Sequence, residues 1–308
     1  MVDKRLTVVY IAGFNYSGST LLALLLNAHP LIASTGEVTG PPNFATGKPF
    51  TCSCGLPIRN CGFYQELQRR INMRWFDLAR RTWETGALTP SNYRSRLWLG
   101  SLRNTSAETC RDFLRQRSHA RQLFESKRQL NVRFAAEAAH ILGTSILVDS
   151  SKAPMQLQFY AASAEIELKV IHLVRHPAGC AMSAAKHNGH TLDRAAQLWR
   201  RNYAACARQA VRFAPAHTIR VRYEDLCNAP QETLSLICQF LGVDYAGKML
   251  DFRNGDASAG LHLVGNDMRL HTTNKIVLHE EWRKTLSTSQ LETIRRITRP
   301  ESLDAGYD

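Results

Sequence analysis

The sequence predicts one α/β domain whose central parallel β-sheet is flanked by helices. Three observations predict this class. Apolar runs typical of strands alternate along the chain with helical segments of about ten residues or more. The first strand is followed by a glycine- and serine-rich turn and then by an apolar helix. The chain has 308 residues, which is enough for one large α/β domain with a substantial core.

The first strand and helix are predicted from apolar runs. Leu6–Ala12 is a continuous apolar run with β-branched residues, typical of a strand buried on both faces. Gly13–Ser17 is predicted as a loop. Gly18–Ala28 is predicted as a helix buried nearly all round, and it ends before the His29-Pro30 pair.

Residues 40–142 are predicted as a helical insertion between the first two strand–helix units of a single domain, 1–308. Residues 40–63 are rich in proline, glycine and cysteine, which is typical of a loop. From Tyr64 to Leu142 the apolar spacing is helical.

The second half of the chain continues the alternation. Strands are predicted at Ser145–Val148, Leu168–Val174 and Thr218–Arg222, and helices at Pro154–Ser163, Pro177–Lys186, Thr191–Phe213 and Gln231–Leu241. Such alternation predicts a parallel sheet with right-handed crossovers.

The composition excludes several protein classes. A hydrophobic fraction of 44% and a charged fraction of 21% exclude wholesale disorder. No apolar run approaches the roughly 18 residues that a membrane span requires. Eight cysteines are too few for a disulfide-built secreted fold, and the apolar run at Leu6–Phe14 is short for a signal peptide. We therefore expect a cytoplasmic protein.

The net charge of +13 is unevenly distributed. Residues 59–133 hold 15 arginines, one lysine and six acidic residues, a net charge of +10 within the predicted insertion. This concentration predicts an anionic acceptor or an anionic partner surface there, and the alternative is a solvated arginine-rich helical face.

The segment from Gly13 to Thr20 is predicted as a P-loop-like phosphate loop, because it lies between a buried strand and a buried helix. Glycines let successive N–H groups face one anion, and the helix N-terminus adds partial positive charge. Ser17, Ser19 and Thr20 add hydroxyl donors. A nucleoside triphosphatase would have lysine where Ser19 stands, which argues against ordinary ATP or GTP hydrolysis. The alternative is a glycine-containing turn without a ligand.

The sequence GFNYSGSTLLALLLNAHP resembles the 5′-phosphosulfate loop of sulfotransferases that use 3′-phosphoadenosine-5′-phosphosulfate (PAPS). The resemblance implies that Tyr16, Ser17, Gly18, Ser19 and Thr20 bind this donor. Most relatives have lysine or arginine where Tyr16 stands. Relatives with a Tyr-Ser-Gly-Ser-Thr loop tend to carry Asp-Ser-Ser-Lys, as residues 149–152 do here, so Lys152 is the candidate substitute cation; the alternative is a solvated lysine.

Three later segments resemble further motifs of this family. KVIHLVRHPAGCAMSAAK resembles the 3′-phosphate motif, in which Arg175 and Ser183 would bind that phosphate. VRYEDL implies that Tyr223 lies against the adenine, and GNDMR implies that Arg269 meets the 3′-phosphate.

Glu37 is the candidate general base. It follows the phosphate helix by a short loop and matches the Gly-Glu that supplies a catalytic carboxylate in tyrosylprotein and related sulfotransferases. The alternative is that Glu37 caps a helix or pairs with an arginine.

The resemblance implies transfer of the sulfuryl group of PAPS to a hydroxyl or amine of a small molecule, glycan or secondary metabolite. We expect the insertion at residues 40–142, which matches no motif of this family, to form the acceptor side of the molecule. Adenosine 3′,5′-bisphosphate (PAP) would be the second product. No metal is required, because the transferred group carries less charge than a phosphoryl group, and no nucleic-acid partner is expected. The oligomeric state is left open.

Two other functions compete with sulfuryl transfer. Asp149 follows Ile146-Leu147-Val148 as a magnesium-binding carboxylate would in a P-loop kinase that uses ATP. The basic net charge alone suggests a binder of nucleic acid or of an anionic surface.

Cys52, Cys54 and Cys61 place three thiols within ten residues. A structural zinc normally needs four ligands, and no fourth stands nearby in sequence. Reduced thiols, a reducible disulfide, and a zinc site completed by a distant residue are therefore all open.

Overall fold

A computed structural model describes residues 5–37, 51–73, 118–152, 154–253, 262–271 and 273–307. Within these residues, five parallel strands form one sheet in the order β2-β3-β1-β4-β5. They are β1 (Leu6–Gly13), β2 (Ile32–Gly36), β3 (Ile146–Lys152), β4 (Ile166–Val174) and β5 (Thr218–Arg222). The predicted α/β class with a parallel sheet is confirmed.

Helices cover both faces of this sheet. They are α1 (Ser19–Asn27), α2 (Gly62–Ile71), α3 (Ser118–Leu142), α4 (Leu157–Ala161), α5 (Pro177–Asn188), α6 (Leu192–Phe213), α7 (Tyr223–Asn228), α8 (Pro230–Leu241), α9 (Trp282–Thr285), α10 (Thr288–Thr298) and α11 (Glu301–Asp304). Short 3₁₀ turns occupy Ile58–Asn60, Pro154–Gln156, Gly247–Asp251 and Asp267–Leu270. In the described part of the chain no helix is both long and apolar enough to cross a bilayer.

The central strand β1 separates two apolar cores. Val8 and Tyr10 belong to the core that contains α2 and α3, whereas Val9 and Ile11 belong to the core beneath α1. Because both faces of β1 are buried, its sequence is apolar throughout instead of alternating.

Strand β2 was not predicted, because Ile32–Gly36 is short and its middle residues are small and polar. The structure buries Ser34, in the middle of the strand, by pairing its polar groups. The Ser34 hydroxyl donates to the Val148 carbonyl at 3.2 Å, and the Asn27 side chain accepts the Ser34 N–H at 2.8 Å. Tertiary hydrogen bonds therefore specify a strand that has no apolar run.

Strand β3 continues to Lys152, beyond the predicted end at Val148, and the predicted helix Pro154–Ser163 is a 3₁₀ turn followed by α4. Helices α2 and α3 lie within the predicted insertion, while 38–50 and 74–117 fall outside the described residues. The single-domain organisation and the acceptor role of the insertion stay predictions.

A candidate active site at the carboxyl edge of the sheet

A predicted site residue lies at or just after the carboxyl end of each of the five strands. The strands are parallel, so their carboxyl ends share that edge. The phosphate loop follows β1, Glu37 follows β2, Lys152 ends β3, Arg175 follows β4 and Tyr223 follows β5.

The phosphate loop requires glycine at position 18. Gly18 has φ 92°, in the left-handed region, and a Cβ there would lie 2.4 Å from Cδ2 of Tyr223. Because Gly18 is the N-cap of α1 and has no side chain, no side-chain cap covers the first turn of this helix. The first-turn amides are thus available to an anion.

Ser17 fits a phosphate-binding role. Its side chain is buried, yet its hydroxyl has no hydrogen-bond partner among the described residues. A buried hydroxyl without a partner is costly, and a bound anionic oxygen would satisfy it.

Tyr16 does not replace the missing cation. Its hydroxyl donates to the Asn188 side chain, and its ring stacks on His187 at 5.6 Å between centroids. Burial, and then the Glu37 carboxylate, raise the pKa of Tyr16, so the phenol is neutral.

Arg175 holds the backbone of the phosphate loop. Its guanidinium donates to the carbonyls of Tyr16 and His279, each at 2.8 Å, and lies 4.6 Å from the ring centre of Tyr223. Only 8% of Arg175 is exposed. Its position therefore depends on two carbonyls that no side-chain motif identifies, which is why sequence reasoning did not single out His279.

Ser183 lies beside Arg175. The Ser183 hydroxyl donates to the Gly179 carbonyl at 2.9 Å, and a Cβ at Gly179 would lie 3.1 Å from Nε of Arg175. Both residues thus border Gly179 on α5, as a shared phosphate would require.

Tyr223 and Arg269 are more enclosed than their predicted roles suggest. The Tyr223 side chain is 4% exposed, and its hydroxyl donates to the Val277 carbonyl at 3.0 Å. The Arg269 guanidinium donates to the carbonyls of Thr51 and Gly265. Arg269, like Arg175, thus donates to backbone carbonyls, and the nucleotide roles of Tyr223 and Arg269 stay predictions.

Glu37 and Lys152 form an ion pair, with Nζ 2.6 Å from Oε2. The Glu37 amide donates to the Val264 carbonyl at 2.6 Å, which fixes the backbone after β2. Gly36 makes this approach possible, because a Cβ there would lie 2.2 Å from the same carbonyl oxygen. The sequence alternatives for Glu37 were a helix cap or an arginine partner, and the structure pairs it with a lysine.

This ion pair adjoins the phosphate loop. A Cβ at Gly265 would lie 3.2 Å from Oγ1 of Thr20 and 3.9 Å from Cβ of Glu37, so Gly265 alone separates Thr20 from the start of the Glu37 side chain. The Glu37–Lys152 ion pair therefore lies near the N-terminal turn of α1.

Asp149 belongs to the fold instead of the phosphate loop. Its Oδ1 accepts from the Ser151 amide and hydroxyl, and its Oδ2 accepts from the Tyr160 hydroxyl at 2.8 Å and from Gln156 at 3.3 Å. Both carboxylate oxygens are therefore engaged inside the protein, which removes the main argument for a magnesium-dependent kinase.

Comparisons with known proteins bear on the family and the fold. A model of the sulfotransferase family matches residues 9–247. The sulfotransferase domain of the Synechococcus PCC 7002 olefin synthase has a similar structure, with TM-score 0.56, 19% identity, and 100% of this chain and 98% of that chain covered. The sulfotransferase domain from the curacin biosynthetic pathway gives TM-score 0.54, 19% identity and 99% coverage of both chains. No curated protein sequence matches this chain.

Proposed function

This chain belongs to the sulfotransferase family, and we propose that it transfers the sulfuryl group of PAPS to a hydroxyl or amine of a small molecule, glycan or secondary metabolite. The observation that carries the proposal is the Glu37–Lys152 ion pair beside the phosphate loop. It supplies a proton acceptor and a cation at the place where a 5′-phosphosulfate would bind.

The donor would bind along the carboxyl edge of the sheet. The amides at the start of α1 and the hydroxyls of Ser17, Ser19 and Thr20 would hold the 5′-phosphosulfate. Arg175 and Ser183 would hold the 3′-phosphate. These two roles and two further ones rest on the motif resemblance. Arg269 would be a third ligand that exchanges a carbonyl contact for the phosphate, and Tyr223 would contact the adenine.

The transfer would be an in-line displacement at sulfur. The acceptor oxygen or nitrogen forms a bond to sulfur while the bond from sulfur to the bridging oxygen of the 5′-phosphate breaks. The Glu37 carboxylate takes the proton from the acceptor. The Lys152 ammonium neutralises the charge that develops on the bridging oxygen, and PAP leaves.

Lys152 would thereby replace the cation that most relatives carry before the Ser-Gly of the loop. We propose no metal in this step, because the sulfuryl group carries less charge than a phosphoryl group.

An anionic acceptor would suit the insertion. Residues 59–133 carry a net charge of +10. Some of the described arginines there are already paired, since Glu66 binds Arg69 and Arg70 and Glu125 binds Arg128. Much of the positive excess lies in residues 74–117, outside the described residues.

A cytoplasmic location stays a prediction.

The test is a transfer assay with labelled PAPS against glycans, phenols, peptides and secondary metabolites, each in anionic and neutral versions. We expect label transfer to at least one acceptor class, with formation of PAP, and a preference for the anionic version. Transfer of phosphate from ATP with Mg²⁺ and no turnover of PAPS, even to water, would contradict the proposal.

A further inference from the structure

Three cysteines and a histidine meet beside the candidate active site. Cys52, Cys54 and Cys61 lie in the loop before α2, and His262 stands 201 residues after Cys61. Their three sulfur atoms and one ring nitrogen all lie within 4.8 Å of one another. The sequence shows three of these groups, and the fold supplies the fourth.

The distances among Cys52, Cys61 and His262 match one face of a zinc tetrahedron, and Sγ of Cys54 lies within 4.8 Å of all three ligand atoms. With Zn–S near 2.3 Å and Zn–N near 2.0–2.1 Å, a tetrahedral ion gives S–S edges of about 3.8 Å and S–N edges of about 3.6 Å. Here Sγ of Cys52 and Sγ of Cys61 are 3.7 Å apart, and Nδ1 of His262 lies 3.7 Å and 3.3 Å from them. Ordinary core packing does not require four such atoms to take this arrangement.

We propose that Cys52, Cys54, Cys61 and His262 bind one structural zinc ion. Three thiolates and one imidazole complete a four-coordinate site with no position left for water or substrate, as structural zinc sites do. The soft donors favour zinc over magnesium or calcium.

The backbone around the cysteines is already turned toward this site. The Cys52 amide donates to the Leu56 carbonyl at 2.9 Å, and the Gly55 amide returns to the Cys52 carbonyl at 2.9 Å. Gly55 has φ 85°, which lets the chain turn directly after Cys54. The Cys61 amide donates to the Pro57 carbonyl at 3.1 Å. These bonds fix the ligand loop without help from the metal.

The histidine is oriented as well. The His262 ring stacks on Phe63, with 5.0 Å between centroids and 10° between planes. The Tyr64 hydroxyl donates to the His262 carbonyl at 2.8 Å. Groups outside the coordination sphere commonly orient metal-binding histidines, and these contacts hold Nδ1 toward the sulfurs.

The zinc would join two segments that position the active site. Ser53 and Leu263 exchange two hydrogen bonds, at 2.8 and 3.0 Å, so the ligand loop pairs with the segment after His262. In that segment the Val264 carbonyl accepts from the Glu37 amide. Loss of zinc would therefore loosen the backbone that holds Glu37. This catalytic consequence rests on the proposed function, whereas zinc binding does not.

The first experiment measures metal in the full chain, purified without a histidine tag or chelator. We expect one zinc per chain by elemental analysis and by native mass spectrometry, and a denatured mass with all cysteines reduced. A denatured mass lower by two hydrogens, stoichiometric iron, or no metal with no thermal shift on adding Zn²⁺ would overturn the proposal.

The second experiment uses variants with a matched control. Cys54→Ser removes an exposed ligand without opening a core cavity, and His262→Cys keeps four ligands. Cys206→Ser is the control, because this cysteine lies in α6 and a serine can still donate to Asn202. We expect Cys54→Ser to lose at least tenfold in zinc affinity, while His262→Cys and Cys206→Ser keep one zinc.

A chelator should lower the melting temperature of the wild type, and it should strip zinc from Cys54→Ser at a lower chelator concentration. Equal zinc affinity of Cys54→Ser and the wild type, measured by competition with a chelator, would contradict the assignment. If Cys54→Ser does not fold, Co²⁺ substitution of the wild type tests the site instead. Tetrahedral thiolate coordination of Co²⁺ gives intense visible absorption bands, and the absence of these bands would refute the site. Zinc binding without PAPS turnover would refute the proposed function alone, and PAPS turnover by a chain that binds no added Zn²⁺ would refute the zinc site alone.

Discussion

Replacing Glu37 with glutamine removes the proposed proton acceptor but retains an oxygen that can accept from Lys152. General-base catalysis contributes about 10²- to 10⁴-fold to a rate, so we expect kcat to fall within that range. The proposed donor contacts do not involve the Glu37 side chain. The affinity for PAP should therefore change by less than about threefold.

The same substitution should lower the free energy of unfolding, and the exposure of the two side chains sets the range of this effect. Lys152 is 11% exposed and Glu37 is 28% exposed in their side chains, so the pair is neither a surface pair nor fully buried. Exposed pairs contribute about 0–1 kcal/mol, and breaking a buried pair costs about 3–5 kcal/mol. We expect Glu37→Gln to lose about 1–2 kcal/mol of unfolding free energy, between these limits.

The assay is single-turnover transfer from labelled PAPS, with PAP affinity by calorimetry and stability by urea unfolding. Glu301→Gln is the matched control, because Glu301 pairs with Arg200 at 2.7 Å, is 19% exposed, and lies on α11. Because the Arg200 side chain is 46% exposed, this pair is closer to a surface pair, and the control should lose about 0–1 kcal/mol and keep its rate. A Glu37→Gln rate within twofold of wild type, with PAP still bound, would refute the assignment of the base.

Three further substitutions or conditions test other parts of the site and fold. Lys152→Ala should lower kcat about 10²- to 10³-fold in the same assay, as loss of one charge-stabilising group does, and an unchanged rate would show that Lys152 does not serve the leaving phosphate. Gly18→Ala should abolish PAP binding in calorimetry, because its Cβ would meet Tyr223. The control Gly143→Ala, at φ 66° with open space around it, should retain binding. Equal PAP binding by the two variants would contradict the close packing of the loop. Burial lowers the pKa of His172 to about 4, below its ordinary value near 6.5, so the unfolded chain binds the extra proton. The contribution of His172 to the unfolding free energy should therefore be constant above about pH 6.5 and fall toward pH 4. In urea unfolding, the loss of stability toward pH 4 should be smaller in His172→Gln than in the wild type. An equal loss in both proteins would contradict His172 as its source.

The sequence was sufficient for the parts of the site that depend on neighbouring residues. Strand β1, the phosphate loop and α1 follow one another within residues 6–27, and their apolar and glycine pattern is local. Gly18 is an example, since its left-handed conformation at a strand–helix turn is a property of a few adjacent residues.

The remaining parts depend on contacts between distant residues. Ile32–Gly36 is a strand because Asn27 and Val148 satisfy Ser34, and no apolar run indicates it. The partner of Glu37 is 115 residues away, and His262 is 201 residues from Cys61. The sequence shows that these residues have suitable side chains, but only the folded chain determines which of them come into contact.

Calorimetric titration of the wild type and of Arg175→Ala with PAP, and of the wild type with ATP and Mg²⁺, tests the central claim most directly. We expect one PAP per wild-type chain and affinity lowered by about 10- to 100-fold in Arg175→Ala, from the loss of charge-assisted hydrogen bonds to phosphate. We expect no comparable binding of ATP with Mg²⁺. Binding of ATP with Mg²⁺ and none of PAP, or equal PAP affinity in the two proteins, would contradict a PAPS site at this edge of the sheet.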